Sequence, residues 1–253
     1  MRAIKTVIAG ALALAAATGF SEAKDWTTVR IGIEAAYPPF NGYNANNELV
    51  GFDYDIGQAL CARMKVECTF VAQDWDGMIP ALLAGKYDAI VSSMSITDER
   101  KQVVDFTDKY YTNSLTFVAP KAAGITDVSP AGLAGKVLGA QSSTVSAQYL
   151  EENYGDAEIK LYPTQDDAYL DLASGRVDAV LADVGPSNLW LAGEDGQCCA
   201  FAGEAVVKDD LVGIAIRKED SDLKEMFNKA IADIVADGTY ATINEKYFPF
   251  SIY

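Results

Sequence analysis

The sequence predicts an α/β protein of two similar lobes, on three observations. Short apolar, β-branched runs alternate with amphipathic helical segments, the pattern of parallel strands joined by helices. The segment GKYDAIV at 85–91 returns as GRVDAVL at 175–181, each copy preceded by a helix-like run, MIPALLA and AYLDLAS. Half of the 253 residues are hydrophobic, enough for one large core or two of ordinary size. Ligands of open α/β sheets sit beyond the carboxyl ends of the strands. Two lobes whose strand ends face each other therefore enclose a cleft, with Ser93 and Asp183 at equivalent strand ends.

In chain order, residues 1–23 place Arg2 and Lys5 before an apolar stretch, Val7 to Ala17, and small residues at Ser21 and Ala23. This is a secretory signal whose apolar part is too short to span a bilayer. Val29 to Ile33 forms the first strand and delivers the loop EAAYPPF, where Pro38 and Pro39 stop any helix. Gly51 and Asp53 open an amphipathic helix with Ile56, Leu60 and Met64 on one face, Asp53 acting as its cap. Val66 to Val71 leads as a strand to Gln73, Asp74, Trp75 and Asp76. A helix through Ile79, Leu82 and Leu83 returns to a buried strand, Tyr87 to Val91.

The stretch SSMSITDER, Ser92 to Arg100, follows that strand. Thr97 occupies a helix N-cap position, and Asp98 and Glu99 fall in the first turn, where negative charge suits the helix dipole. A strand end, free backbone N–H groups, the hydroxyls of Ser92, Ser93 and Ser95 and the forked guanidinium of Arg100 converge there, which suits a small carboxylate. A second such end follows the strand Val137 to Gln141, where Ser142, Ser143 and Thr144 open a helix through Val145, Tyr149 and Leu150. The last helix runs from Asp220 to Val235, with Leu223, Met226, Phe227, Ala230 and Ile234 on its core-facing stripe.

Composition excludes several function classes. With no histidine, Ser-His-Asp and Cys-His catalysis and histidine metal sites are ruled out. The sequence gives no sign of a metal or cofactor. A net charge of −16 repels nucleic acid and anionic membrane and favours cationic ligands. The four cysteines, in an oxidising compartment, are expected to pair. Cys61 to Cys68 would close a short loop between a helix end and the next strand. Cys198 and Cys199 are adjacent, leaving a strained ring, free thiols and an intermolecular bond as alternatives.

The runs GFDYDIGQALCARM and DWDGMIPALLAGKYDAIVSSMSITDER, with the tail KYFPF, resemble the periplasmic polar amino-acid-binding proteins of ABC importers (solute-binding protein family 3), above all the lysine/arginine/ornithine- and histidine-binding group. The resemblance spans essentially the whole mature chain. It implies a two-lobed, type II periplasmic binding protein with two crossing segments: lobe 1 from 24–112 and 208–253, lobe 2 from 113–207. It implies that Arg100 clamps a ligand α-carboxylate, that Ser95 and Thr144 add donors, and that Asp183 takes the α-ammonium. Tyr37 and Trp75 would sandwich the side-chain stem, and Ser92, Ser93 and Glu34 would hold its distal donors. The family commonly has the shorter aspartate at the Glu34 position, so arginine, lysine, ornithine and histidine all stay open as ligands. Cys61 and Cys68 pair in the family, whereas Cys198-Cys199 and the short connection Val206 to Gly213, both near the second crossing, depart from it. The expected partner is an inner-membrane ABC permease, the compartment the periplasm and the state a monomer, with no catalytic residues. The alternative is a secreted dehydratase of prephenate or arogenate type on the same scaffold, with Glu34 or Asp183 as general acid; a sensor role shares the same site.

Overall fold

A computed structural model describes residues 24–253; the secretory signal assigned to 1–23 lies outside them. The first lobe holds β1 (Thr28–Ile33), a hairpin of β2 (Gly42–Tyr43) and β3 (Leu49–Val50), α1 (Phe52–Met64), β4 (Glu67–Ala72), α2 (Met78–Leu83), β5 (Ala89–Ile90) and the single-turn α3 (Asp98–Lys101). The long β6 (Asp105–Pro120) carries the chain into the second lobe. There follow β7 (Val137–Gln141), α4 (Val145–Asn153), β8 (Glu158–Tyr162), α5 (Gln165–Ala173), β9 (Ala179–Asp183) and α6 (Val184–Ala192). The equally long β10 (Cys199–Ile216) returns the chain to the first lobe, where α7 (Ser221–Ala236) and α8 (Thr239–Tyr247) pack.

The main sheet has eight strands in the order β4-β1-β5-β10-β6-β9-β7-β8. Within each lobe the strands are parallel as predicted, β1 with β4 and β5, and β7 with β8 and β9. The two crossing segments, whose strand sense the sequence reading left unstated, add an antiparallel centre to the sheet. There β6 and β10 run antiparallel to each other, and to β9 and β5 respectively. A chain that leaves one lobe on one strand must return on the other in the opposite sense. The repeat seen in the sequence is also a repeat in three dimensions. Ala89 and Ile90 pair with Ile31 and Gly32, just as Ala179 and Val180 pair with Leu138 and Gly139.

Each lobe has its own apolar core. In the first, Ile56 and Leu60 of α1 pack with Phe227 and Ile231 of α7 and with Tyr110 and Tyr111 of β6. In the second, Leu115 and Phe117 of β6 pack with Leu138, Leu150 and Leu181. Fully buried side chains such as Leu60 and Phe227 each contribute about 2–3 kcal/mol. Because β6 gives Tyr111 to one core and Leu115 to the other, it changes lobes over Thr112, Asn113 and Ser114. Val207 and Val212 mark the same change on β10, whose register against β6 shifts repeatedly between Ala202 and Ala215. The stretch expected as a short connection, Val206 to Gly213, is thus part of a continuous strand.

Helix ends follow the predicted chemistry with two corrections. The hydroxyls of Thr97 and Thr144 accept hydrogen bonds from the backbone N–H groups of Arg100 and Ala147, both at 3.1 Å. Asp53 does not cap α1. That position belongs to Gly51, whose φ of 125° no L side chain adopts readily and where a Cβ would run into the Phe40 carbonyl oxygen. Nor is the helix read from Asp220 the last: Gly238, at φ 84°, turns the chain out of α7 and into α8.

Cys61 and Cys68 are joined with their Cα atoms 6.1 Å apart, tying the last turn of α1 to β4. By loop closure this bond contributes about 2.5 kcal/mol. Replacing both cysteines with serine is expected to lower the urea-unfolding free energy by about that amount; a change below about 0.5 kcal/mol would show that the bond does not constrain the unfolded chain. Of the three alternatives for Cys198 and Cys199, the structure shows the ring.

Candidate functional site

The carboxyl ends of the strands deliver the site. Beyond β1 comes Glu34, with Tyr37 three residues on. Beyond β4, Trp75 sits in a 3-10 turn, and beyond β5 come Ser92, Ser93 and Ser95, with Arg100 on α3. From the other lobe, β7 delivers Gln141 and Thr144, β8 delivers Gln165 and β9 delivers Asp183. One cavity between the lobes is lined by Glu34, Tyr37, Trp75, Ser92, Ser93, Ser95, Arg100, Thr144 and Asp183, every residue singled out from the sequence. It is also lined by Gln141, Val145, Ser146 and Gln165, which sequence reasoning did not single out.

The lobes meet across this cavity through hydrogen bonds. Arg100 lies over the Trp75 ring, its guanidinium carbon 5.5 Å from the ring centroid. Its Nη1 donates to the Ser95 carbonyl at 2.9 Å and its Nη2 to the Ser143 carbonyl of the other lobe at 3.0 Å. Trp75 Nε1 donates to that same carbonyl at 3.1 Å. Tyr37 donates to Asp183 at 2.6 Å and Gln141 to Glu34 at 2.7 Å. Ser142 donates to Asp76 at 2.9 Å. Ala35, Ser93 and Ser143 beside the cavity all have positive φ, a conformation that costs non-glycine residues energy and concentrates at binding sites.

The serine hydroxyls face the wall behind the cavity. Ser92 Oγ accepts from the Glu34 backbone N–H at 2.9 Å, Ser93 Oγ donates to Asp53 at 2.8 Å and Ser95 Oγ donates to Asp210 at 2.7 Å. Thr144 Oγ1 donates to the Gln141 carbonyl at 2.7 Å while capping α4.

Carboxyl groups outnumber the one guanidinium. Burial pushes Glu34 up to about 7; its bond from Gln141 opposes this, and the charges of Asp53, Asp166 and Asp74 add to it. Burial pushes Asp183 up to about 6, Asp210 adding to the rise, with Tyr37, Asn113 and Arg100 opposing it. Asp210 is also raised, chiefly by burial. Arg100 is lowered by burial while Asp210, Glu99 and Asp183 pull it back, and a guanidinium so placed stays charged. Such a cavity can pair one carboxylate and two cationic groups. Among the described residues no cluster is placed to hold a metal ion, and no helix is long and apolar enough to cross a membrane.

Known proteins share this chain's features along nearly its full length. It is 45% identical over 256 residues to the L-arginine-binding protein of Pseudomonas aeruginosa, covering 98% of both chains. It is 42% identical to the lysine/arginine/ornithine-binding periplasmic protein of Escherichia coli K12, over 89% of each. Its fold is similar to that of an ancestral arginine-binding protein solved with arginine, with a TM-score of 0.83 and 36% identity, covering 88% of this chain and 98% of that one. The sequence model of the bacterial extracellular solute-binding proteins, family 3, matches residues 29–250, and the chain belongs to that family.

Proposed function

We propose that this protein is the periplasmic receptor of an ABC importer for a basic L-amino acid: arginine, lysine, ornithine or histidine. The observation that carries the reading is one half-buried guanidinium, Arg100, lining the same interlobe cavity as two carboxyl groups, Asp183 and Glu34. Arg100 holds the α-carboxylate, Asp183 with Tyr37 holds the α-ammonium, and Glu34 receives the distal cation, whose stem lies between Tyr37 and Trp75. Ser95 and Thr144 add backbone donors to the carboxylate, and the Ser92 and Ser93 segment closes off the distal end. Leaving either charged end of a zwitterion unpaired in such a cleft costs several kcal/mol, so the geometry selects amino acids.

The lobes are taken as 24–112 with 208–253, and 113–207. They close by bending where β6 and β10 cross, and the monomeric closed form is what the inner-membrane permease meets. The dehydratase alternative gains no support: Glu34 and Asp183 already accept hydrogen bonds from Gln141 and Tyr37, and the curated relatives are named as binding proteins. The protein is read as a receptor and not an enzyme.

A thermal-unfolding panel of the twenty amino acids, ornithine and prephenate tests this. A basic amino acid at a thousand times its Kd is expected to add about 4 kcal/mol of stability. A panel in which only prephenate shifts the transition, with turnover, would reverse the reading.

A further inference from the structure

Gln165, the first residue of α5, is 4% exposed and lines the same cavity as Glu34 and Gln141. Its Nε2 is buried and has no hydrogen-bond partner among the described residues. A buried amide N–H wants an acceptor, and leaving it unpaired is costly. A guanidinium or ammonium head carries donors only, so the distal end of a cationic amino acid offers this N–H no acceptor. A ureido group does. It has the planar shape of a guanidinium with one nitrogen replaced by a carbonyl oxygen, and it keeps N–H groups for the carboxyl beside it.

We propose that the cleft also binds a neutral ureido amino acid, with L-citrulline as the form matched to arginine, Gln165 donating to the ureido oxygen and Glu34 accepting from its N–H groups. This rests on the reading of the cleft as a basic amino-acid site. It makes selectivity depend on pH. Glu34 lies among Gln141, Asp53, Asp166 and Asp74, and burial raises it to about 7. As pH falls through that value Glu34 gains a proton. Arginine, which needs the carboxylate, then weakens; citrulline still finds an acceptor in the neutral carboxyl. Asp183, also raised, faces the α-ammonium of both ligands and drops out of the ratio.

The test is calorimetric titration of the protein with L-arginine and with L-citrulline near pH 8.5 and near pH 5.5, with Gln165→Leu and Glu34→Gln alongside. Citrulline is expected to bind, and the preference for arginine to fall about ten-fold or more between the higher and lower pH. Gln165→Leu should weaken citrulline about ten-fold more than it weakens arginine, whose binding also reports that the variant is folded. Glu34→Gln should weaken arginine selectively and make the ratio independent of pH. Arginine binding without citrulline binding at millimolar concentration, a pH-independent ratio in the unaltered protein, or equal losses in Gln165→Leu would overturn the proposal and leave the basic amino-acid reading standing. Failure of every basic amino acid to bind would remove both.

Discussion

Arg100→Met is expected to weaken the binding of every amino-acid ligand by about a thousand-fold or more, roughly 4 kcal/mol. Methionine can keep apolar contact with Trp75, over which the guanidinium lies, but it removes the forked donors. The ligand carboxylate would then be buried without its partner among groups that are already acidic, Asp183 and Asp210 included, so the loss exceeds that of one hydrogen bond. The Ser143 carbonyl would also lose one of its two donors from the other lobe and keep only Trp75. Closure itself is weakened for that reason. Arg100→Lys should fall between, because an ammonium keeps the charge but cannot make the paired contact. Calorimetric titration against arginine, with urea unfolding to show that the variants fold, reads both. Binding by Arg100→Met within ten-fold of the unaltered protein would end the assignment of the carboxylate to this side chain.

What could be read from the sequence was mostly local. The strand-end rule found Ser92 to Ser95, Thr144 and Asp183 because each follows a recognisable apolar strand within a few residues. The same rule applies to Gln141, the last residue of VLGAQ, and could have found it. Gln165 was hidden because the strand before it, EIKLY, lies at the edge of the sheet and carries Glu158 and Lys160, so it lacks the apolar signature of a buried strand. Roles for Tyr37, Trp75 and Glu34 came from family resemblance, since nothing in their spacing states which lobe faces them. Asp210 gave no local signal at all: its partner Ser95 is 115 residues away, brought close only by the crossing of β10. The antiparallel sense of β6 and β10 was missed for a related reason, because it depends on how the chain returns between lobes.

Asp53 shows the same limit most sharply, and its replacement carries the second large effect. As an acid in the first turn of α1 it has the sequence signature of a cap, yet its carboxylate is fully buried and turned to the core. It accepts from Asn41 Nδ2 at 2.8 Å, Ser93 Oγ at 2.8 Å and Tyr110 OH at 2.7 Å. Tyr110 OH in turn accepts from the Ser93 backbone N–H at 3.0 Å, and Asn41 Oδ1 accepts from the Ala35 N–H at 2.8 Å. One carboxylate thereby holds two segments of positive φ, Ala35 beside Glu34 and Ser93 within the serine run. Asp53→Ala would strand these donors in a dry core, with an expected cost of about 3–5 kcal/mol. Asp53→Asn keeps one acceptor and should cost about half as much. The pH dependence has a definite sign. Burial raises Asp53 from its ordinary value to about 6, so the folded state holds this proton more tightly than the unfolded chain. Stability from this group is therefore largest below the unfolded value and declines as pH rises through about 6, and the advantage of the unaltered protein over Asp53→Asn should shrink in that interval. Because Glu34 and the serine segment hang on the same network, Asp53→Ala should also weaken ligand binding by about ten-fold at a pH where it still folds. Urea unfolding at several pH values measures the first effect and titration with arginine the second. An Ala variant within 1 kcal/mol of the unaltered protein would mean that the donors find water or one another, and that the walls of the cleft are held by something else.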